Sequence, residues 1–413
     1  MPAARPVGPG FSPLDEELGL IPGQLTPRAE EQLVRLGTWI PSFAQAAELL
    51  GALVGVWVSE ATVRRHTEAA GAVQVRLQER AVEALKAGGE AEPHGAARMV
   101  MSADGAMVPL RHGEWGEAKT LVVGEVAAEQ DAPRKTQHLS YFSRLAEAER
   151  FKWQALVETH RRGLATAGAV ASVSDGAEWI QGLVDFHRPD AVRILDLPHV
   201  AEHLNAVGQG LYGENSPQAR AWLEEQVAQL KAEGPEPVLA RLRDVAPGVP
   251  EGATHLGYLA KRAAQLDYPA FMAAGWPIGS GMVESANKLV VEDRLKGSGM
   301  HWERGHVDPM LALRNVVAND RWDEAWAQIE AAMRREAWEA RRARQQDTSE
   351  ARPESPSGEG VTAVGTVAAP PPPPATMAAP RGTSHPAANH PWRHAPLGKA
   401  RYQPWRPYDP PKT

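Results

Sequence analysis

The chain has 413 residues, 43% of them apolar and 23% charged, enough for two or three domains with a sizeable core and ordinary for a soluble globular protein. Cysteine is absent, which excludes disulfides and thiolate metal sites. No apolar run approaches the roughly 20 residues of a membrane span. The net charge is −7, but ten Lys/Arg against five Asp/Glu lie between Arg341 and Thr413, leaving about −12 on the preceding 340 residues; any DNA surface on the folded part must be a local basic patch. The N-terminus "MPAARPVGPGFSPLDEELG" lacks the apolar core of a secretory signal, so a cytoplasmic protein is expected.

Residues 1–25 are rich in Pro and Gly and predict a flexible start. Thr26-Pro27 reads as a helix opening, an N-cap hydroxyl followed by proline at the first helical position. "TPRAEEQLVRLGTWI" then carries Leu33, Leu36 and Ile40 at helical spacing. Ser42-Phe43-Ala44-Gln45 reads as a capping box opening "FAQAAELLGALVG". After a turn containing Gly55, Ser59 caps "EATVRRHTEAAG", and Gly71 is expected to end it as a C-cap. Three short helices, the third bearing Arg64, Arg65 and His66, outline a helix-turn-helix over 26–90. A plain helical bundle with a solvated basic face fits the same pattern. The segment from 72 is expected to be a connecting helix ended by Gly88-Gly89.

From residue 91 the texture changes. "ARMVMSADGAMVPL" and "KTLVVGEVAA" are β-rich runs between turn residues, and "FSRLAEAERFKWQALVETHRRGLATAG" reads as an amphipathic helix. Strand "AVASVSD", helix "GAEWIQGLVDFH", strand "AVRILDL" and helix "PHVAEHLNAVGQGL" follow. This alternation predicts an α/β layer with a mixed sheet over 91–212. Residues 213–270 show helical patterns and no strand signal, which predicts a helical insertion. In 271–345 a helix from about Met282 to Leu295 and one or two closing helices are expected. The tail, 346–413, contains "APPPPPAT" and little apolar material, which predicts disorder. Its end mixes Arg and Lys with Trp and Tyr, which suits a weak hold on DNA or a solvated tail.

Three acidic residues stand out by context: Asp104 and Asp175, each followed by glycine on or after a strand, and Glu284 at a helix start behind the glycine-rich "PIGSGMV". Each alone reads equally as a strand-end aspartate or as a glutamate favoured by the helix dipole. Together they suggest a metal site, because Mg²⁺ takes carboxylate oxygens and two such ions serve phosphoryl transfer. A rival is Asp196, which also ends an apolar strand. Beside it His199, Glu202 and His203 form an H-x-x-E-H pattern, the arrangement of some zinc peptidases; the pattern is short and no other peptidase feature accompanies it.

"SADGAMV", "SDGAEWI", "LDLPHVAEHL", "GSGMVESANK" and "RLKGSGMHW", in this order, resemble the DDE transposases of bacterial insertion sequences, of the Mutator-like group and the ISKra-type family. The resemblance runs from about Leu14 to Trp326. It implies an RNase H-like mixed sheet with an all-helical insertion, preceded by a helix-turn-helix domain. It implies Mg²⁺-dependent cleavage and strand transfer of double-stranded DNA at element ends and target, with two Mg²⁺ ions that Mn²⁺ replaces. Carried over residue by residue, Asp104, Asp175 and Glu284 are the catalytic, metal-binding carboxylates, and Asp196 with His199 matches a supporting Asp/Cys-x-x-His signature. Asn287, Lys288, Arg294, Lys296 and Arg304, with Trp302, are candidates for phosphate or splayed bases, alongside Arg64 and Arg65; surface charges around a core tryptophan are the alternative. A homo-oligomer is expected, since two element ends must be brought together, and the chain is expected at the nucleoid. The resemblance implies that a cysteine zinc module often lies further upstream, and none is present here; either the chain begins late or end recognition relies on the helix-turn-helix alone, and a truncated or domesticated DNA-binding protein is the second reading.

Overall fold

A helix begins where a side chain satisfies a free backbone N–H. In the computed structural model, which describes residues 25–88, 91–127 and 136–350, Thr26 Oγ1 accepts from Ala29 N at 3.2 Å and opens α1 (Pro27–Trp39). Ser42 opens α2 (Phe43–Val54), which Gly55 closes at φ 75°. Ser59 Oγ accepts from Thr62 N at 3.1 Å and opens α3 (Glu60–Lys86). The expected break at Gly71 is absent, and α3 runs unbroken for 27 residues. Gly71 has another role: a Cβ there would lie 2.3 Å from the Pro309 carbonyl oxygen. The glycine admits a close helix crossing and does not end the helix. Gly88, at φ 79°, follows the true end.

The central sheet has five strands: β1 (Arg98–Pro109), β2 (Trp115–Val126), β3 (Thr136–Arg144), β4 (Ala169–Ser174) and β5 (Val192–Leu195). Their order is β3-β2-β1-β4-β5. The pairs β1/β2 and β2/β3 are antiparallel, while β1/β4 and β4/β5 are parallel. The chain is therefore α/β with a mixed sheet. Strand β3 was not anticipated, and Phe142–Arg144 belong to it rather than to the following helix, α4 (Ala148–Arg161). Its register places Phe142 opposite Leu121, with both fully buried, so the edge strand is held by cross-strand packing that local periodicity does not display.

Period-2 alternation divides β1 between the two layers. Met99, Met101 and Ala103 pack with Phe142, Phe151, Ile180 and Leu183, beneath α4 and α5 (Glu178–His187). Val100 faces the other layer with Val173 and with Val200 and Leu204 of α6 (Leu197–Tyr212). Asp104 continues that second row. After α6 come α7 (Pro217–Glu233), α8 (Pro235–Val245), α9 (Gly252–Lys261) and α10 (Tyr268–Ala273), so the helical run extends three residues beyond the expected 270. Trp222, Leu230, Leu239 and Leu259 join the core of α6, which anchors the insertion to the sheet.

The chain then forms α11 (Gly281–Ala286), a π-helical stretch (Asn287–Glu292) and α12 (Asp293–Leu295), followed by α13 (Arg304–Ala318) and α14 (Trp322–Glu350). Leu33, Val34, Leu50 and Val63 share one core with Val290, Leu295, Met310 and Trp326. The N-terminal helices are thus packed onto the closing helices. Among the described residues no helix is long and apolar enough to cross a membrane. The expectations for residues 1–24, for Gly89 and for the tail from 351 onward lie outside the described residues.

Candidate active site

Asp104 sits mid-strand on β1, opposite Thr120 of β2. Its Oδ1 accepts from Gly105 N at 2.7 Å and its Oδ2 from Asn287 Nδ2 at 2.8 Å. Burial pushes the Asp104 carboxyl above the usual carboxylate range. The negative charges of Asp175 and Glu284 push it further, while the hydrogen bonds from Gly105 and Asn287 oppose the rise. Asp175 and Glu284 therefore both lie within electrostatic reach of Asp104, although the three come from separate elements.

Asp175 follows β4, the parallel neighbour of β1. Its Oδ1 accepts from Ala177 N at 2.9 Å, an Asx turn that bends the chain into α5. Gly176 takes φ 78°, and a Cβ there would lie 2.7 Å from Arg262 Nε, so only glycine fits the turn. Glu284 is exposed in the first turn of α11, whose Val283 and Ala286 pack on Val122 of β2. The Glu284 charge reaches Asp104 and adds to the rise of that carboxyl.

Asp196 is 4% exposed and behaves differently. Its Oδ2 caps α6 through His199 N at 3.2 Å, and its Oδ1 accepts from Ser280 N at 2.6 Å. Leu197 N also donates to Ile278 O at 3.0 Å. Asp196 thus ties the end of β5 to the chain entering α11, which supports Glu284 from behind. The His199 ring lies edge-on to His203 and Tyr258, with Nδ1 3.4 Å from Glu202. His203 stacks on Tyr258 and meets His255 at 2.9 Å.

Among the described residues no three Asp, Glu or His side chains form a ready cage for a metal ion. Zinc takes three or four protein ligands, whereas Mg²⁺ uses one or two carboxylates and keeps several waters. Two observations fit a divalent cation beside Asp104: its carboxyl is raised by burial, with the charges of Asp175 and Glu284 adding to the rise, and the neighbouring Asn287 Oδ1 is buried without a hydrogen-bond partner. A cation would relieve both.

The expected DNA contacts separate into two groups. Arg64, Arg65, Lys288, Lys296 and Arg304 are exposed, Lys296 pairing with Glu292 at 3.0 Å. Asn287 and Arg294 do not reach solvent. Asn287 is 6% exposed and orients Asp104 instead. Arg294 is 1% exposed; its guanidinium donates to Gly37 O at 3.2 and 3.3 Å and lies over the rings of Phe43 and Trp302. Trp302 is buried, its Nε1 donating to Leu295 O at 3.0 Å. Desolvation holds the Arg294 guanidinium down to about 10, with the nearby Arg314 adding to the fall. These residues join α1 and α2 to the closing helices.

Tyr258 and Arg262 were not singled out from sequence, yet both reach the Asp175 turn from 83 and 86 residues away. No local signal marks them, since their partners are backbone carbonyls distant in the chain. No family model matches this chain, and no curated protein matches it. The functional reading therefore rests on the chain's own residues.

Proposed function

We propose that the protein is a DDE transposase of a bacterial insertion sequence, of the Mutator-like group and ISKra-type family, built on an RNase H-like sheet. The observation that carries this reading is that the charges of Asp175, after β4, and Glu284, on α11, reach Asp104 on β1 and add to the effect of burial in raising its carboxyl. Support also comes from the mixed sheet with its parallel β1/β4/β5 side and from a helical insertion between the second and third carboxylates.

When bound, two Mg²⁺ ions (or Mn²⁺) supply charge neutralisation at the phosphodiester and activation of the attacking oxygen. Asp104 and Asp175 present oxygens from neighbouring strands, and Glu284 faces them from α11. Asn287 holds Asp104 Oδ2 in place, and Asp196 holds the approach to α11. Water attacks a phosphodiester at the element end, which breaks one P–O bond and frees a 3′-hydroxyl. That hydroxyl then attacks a target phosphodiester, one P–O bond forming as another breaks, with no covalent protein intermediate. Positioning and charge stabilisation are the protein's contributions. Arg64, Arg65, Lys288, Lys296 and Arg304 are the exposed cations for the phosphates of the duplex. Synapsis of two ends calls for a homo-oligomer, acting at the nucleoid.

The test is a labelled duplex carrying the flanking element end, incubated with the full chain with and without Mg²⁺ beside Asp175→Ala. Mg²⁺-dependent nicking is expected and is lost by about 10³-fold or more in the variant. Nicking that survives in the variant moves the metal role towards Asp196. Binding without cleavage by the wild type establishes the truncated or domesticated DNA-binding protein instead.

A further inference from the structure

The turn after β4 exposes two carbonyls that no strand or helix uses, those of Asp175 and Gly176. Both are taken by side chains of the helical insertion. Tyr258 of α9 donates its hydroxyl to Asp175 O, and Arg262, just beyond α9, donates to Gly176 O from Nη2 at 2.9 Å and Nε at 3.3 Å. The two side chains are four residues apart and share a helix face. The Arg262 guanidinium lies 3.8 Å over the Tyr258 ring and donates to the Tyr258 carbonyl at 3.2 Å. On its other side Tyr258 stacks on His203 of α6, 4.2 Å between centroids and 15° between planes. His203 in turn meets His255 of α9 at 2.9 Å.

This stack is a brace. Arg262 Nε and Leu195 Cδ1 close over Gly176, where a Cβ would lie 2.7 and 2.8 Å from them, so both approach the turn closely. The backbone of Asp175 sets the direction of its carboxylate, and its turn is held by the insertion as well as by β4, where Ser174 Oγ accepts from Gly176 N at 3.4 Å.

We propose that Tyr258 and Arg262 are positioning residues for Asp175: the insertion aims the second carboxylate. The metal part of this inference rests on the transposase reading. Outer residues that orient a metal ligand are worth about 10- to 100-fold in metal affinity, which sets the size of the effect.

The experiment uses the full chain as wild type, Tyr258→Phe, Arg262→Gln and Asp175→Asn. Tyr258→Phe removes the hydroxyl and keeps the stack, so it is the variant least able to disturb folding. Three quantities are read: hydrogen exchange of the peptide spanning 175–180, Mn²⁺ affinity from the signal of free Mn²⁺, and Tm. Faster exchange and about tenfold weaker Mn²⁺ binding in both brace variants, at wild-type Tm, is the expected result. Unchanged exchange in both variants overturns the brace. Weaker Mn²⁺ binding in Asp175→Asn but not in the brace variants overturns the aiming role. Faster exchange with Mn²⁺ affinity unmoved even in Asp175→Asn upholds the brace and removes the metal role from the reading beneath it.

Discussion

Strands β4 and β5 run side by side with Ser174 opposite Leu195, and each passes directly into an aspartate. Asp196 has both oxygens engaged by backbone donors, from His199 and Ser280, and is buried. Asp175 is half-buried, turns its chain with one oxygen through Ala177 N, and lies close enough to Asp104 to raise that carboxyl. Two residues with the same local sequence logic thus do different work. A carboxylate saturated by backbone N–H groups holds structure. One that faces other carboxylates is in an energetically poor position, which proteins keep where charge is needed.

The sharpest way to break this contrast is catalytic. Asp196→Asn keeps one acceptor and places an N–H₂ against a second donor, so it is expected to retain nicking within about tenfold, against the loss of about 10³-fold for Asp175→Ala. Equal losses in the two variants would dissolve the distinction. Stability should run the other way. Asp196→Ala strips a helix cap and leaves Ser280 N unpaired, at a cost of about 2 kcal/mol by urea denaturation, while Asp175→Ala loses only the turn bond from Ala177 N and is expected to cost about 1 kcal/mol.

Acid sharpens the comparison further, because the His203 ring stacks on Tyr258, which grips the Asp175 turn. Burial holds His203 down to about 4, helped by the charges of His199, His255 and Arg262. The unfolded chain takes this proton first, near pH 6.5. Stability from His203 is therefore full above about pH 6.5 and is lost as pH falls towards 4, where the folded state also protonates. Solvent screening at a half-exposed ring reduces the effect to about 1 kcal/mol. Urea melts of wild type and His203→Gln at pH 7 and pH 4 check it, the variant showing the flatter dependence.

The smallest effect concerns Asp104. Its carboxyl is raised in the folded state, so the stability it lends is present below the ordinary carboxylate range and is lost as pH rises through the folded value. Asp104→Asn is permanently neutral and keeps that stability. A turn of the Asn287 amide then lets its unpartnered Oδ1 accept from the new side chain. In the presence of a chelator the variant is expected to be about 0.5 kcal/mol more stable than wild type at pH 7 and indistinguishable from it near pH 3. A destabilised variant at pH 7 would show that Asp104 is held by its hydrogen bonds rather than strained by its neighbours.

Much of the architecture was readable because its signals are local. Thr26-Pro27, Ser42 and Ser59 open helices through groups within three residues, and "RMVMSA" and "AVASVS" declare strands by composition. The Asp-Gly pairs mark Asp104 and Asp175, and the glycine-rich approach marks Glu284. Strand β3 was illegible because "TQHLSYFSR" is mostly polar and its hold comes from pairing with β2, and the ends of helices misled where glycine served packing. Gly71 shows why: the same residue that ends a helix when free admits a Pro309 crossing when buried.

The sequence by itself determined most helix starts, most strands and which carboxylates are candidates, since these depend on contacts a few residues apart. Only the tertiary structure decided that Arg294 supports Gly37 O and that Asn287 orients Asp104 rather than facing solvent. It alone decided that Asp196 is held by Ser280 while Asp175 is gripped by Tyr258 and Arg262. The physical reason is the same in each case. Whether a polar group is free for chemistry depends on burial and on partners tens to hundreds of residues away, and no local pattern records them.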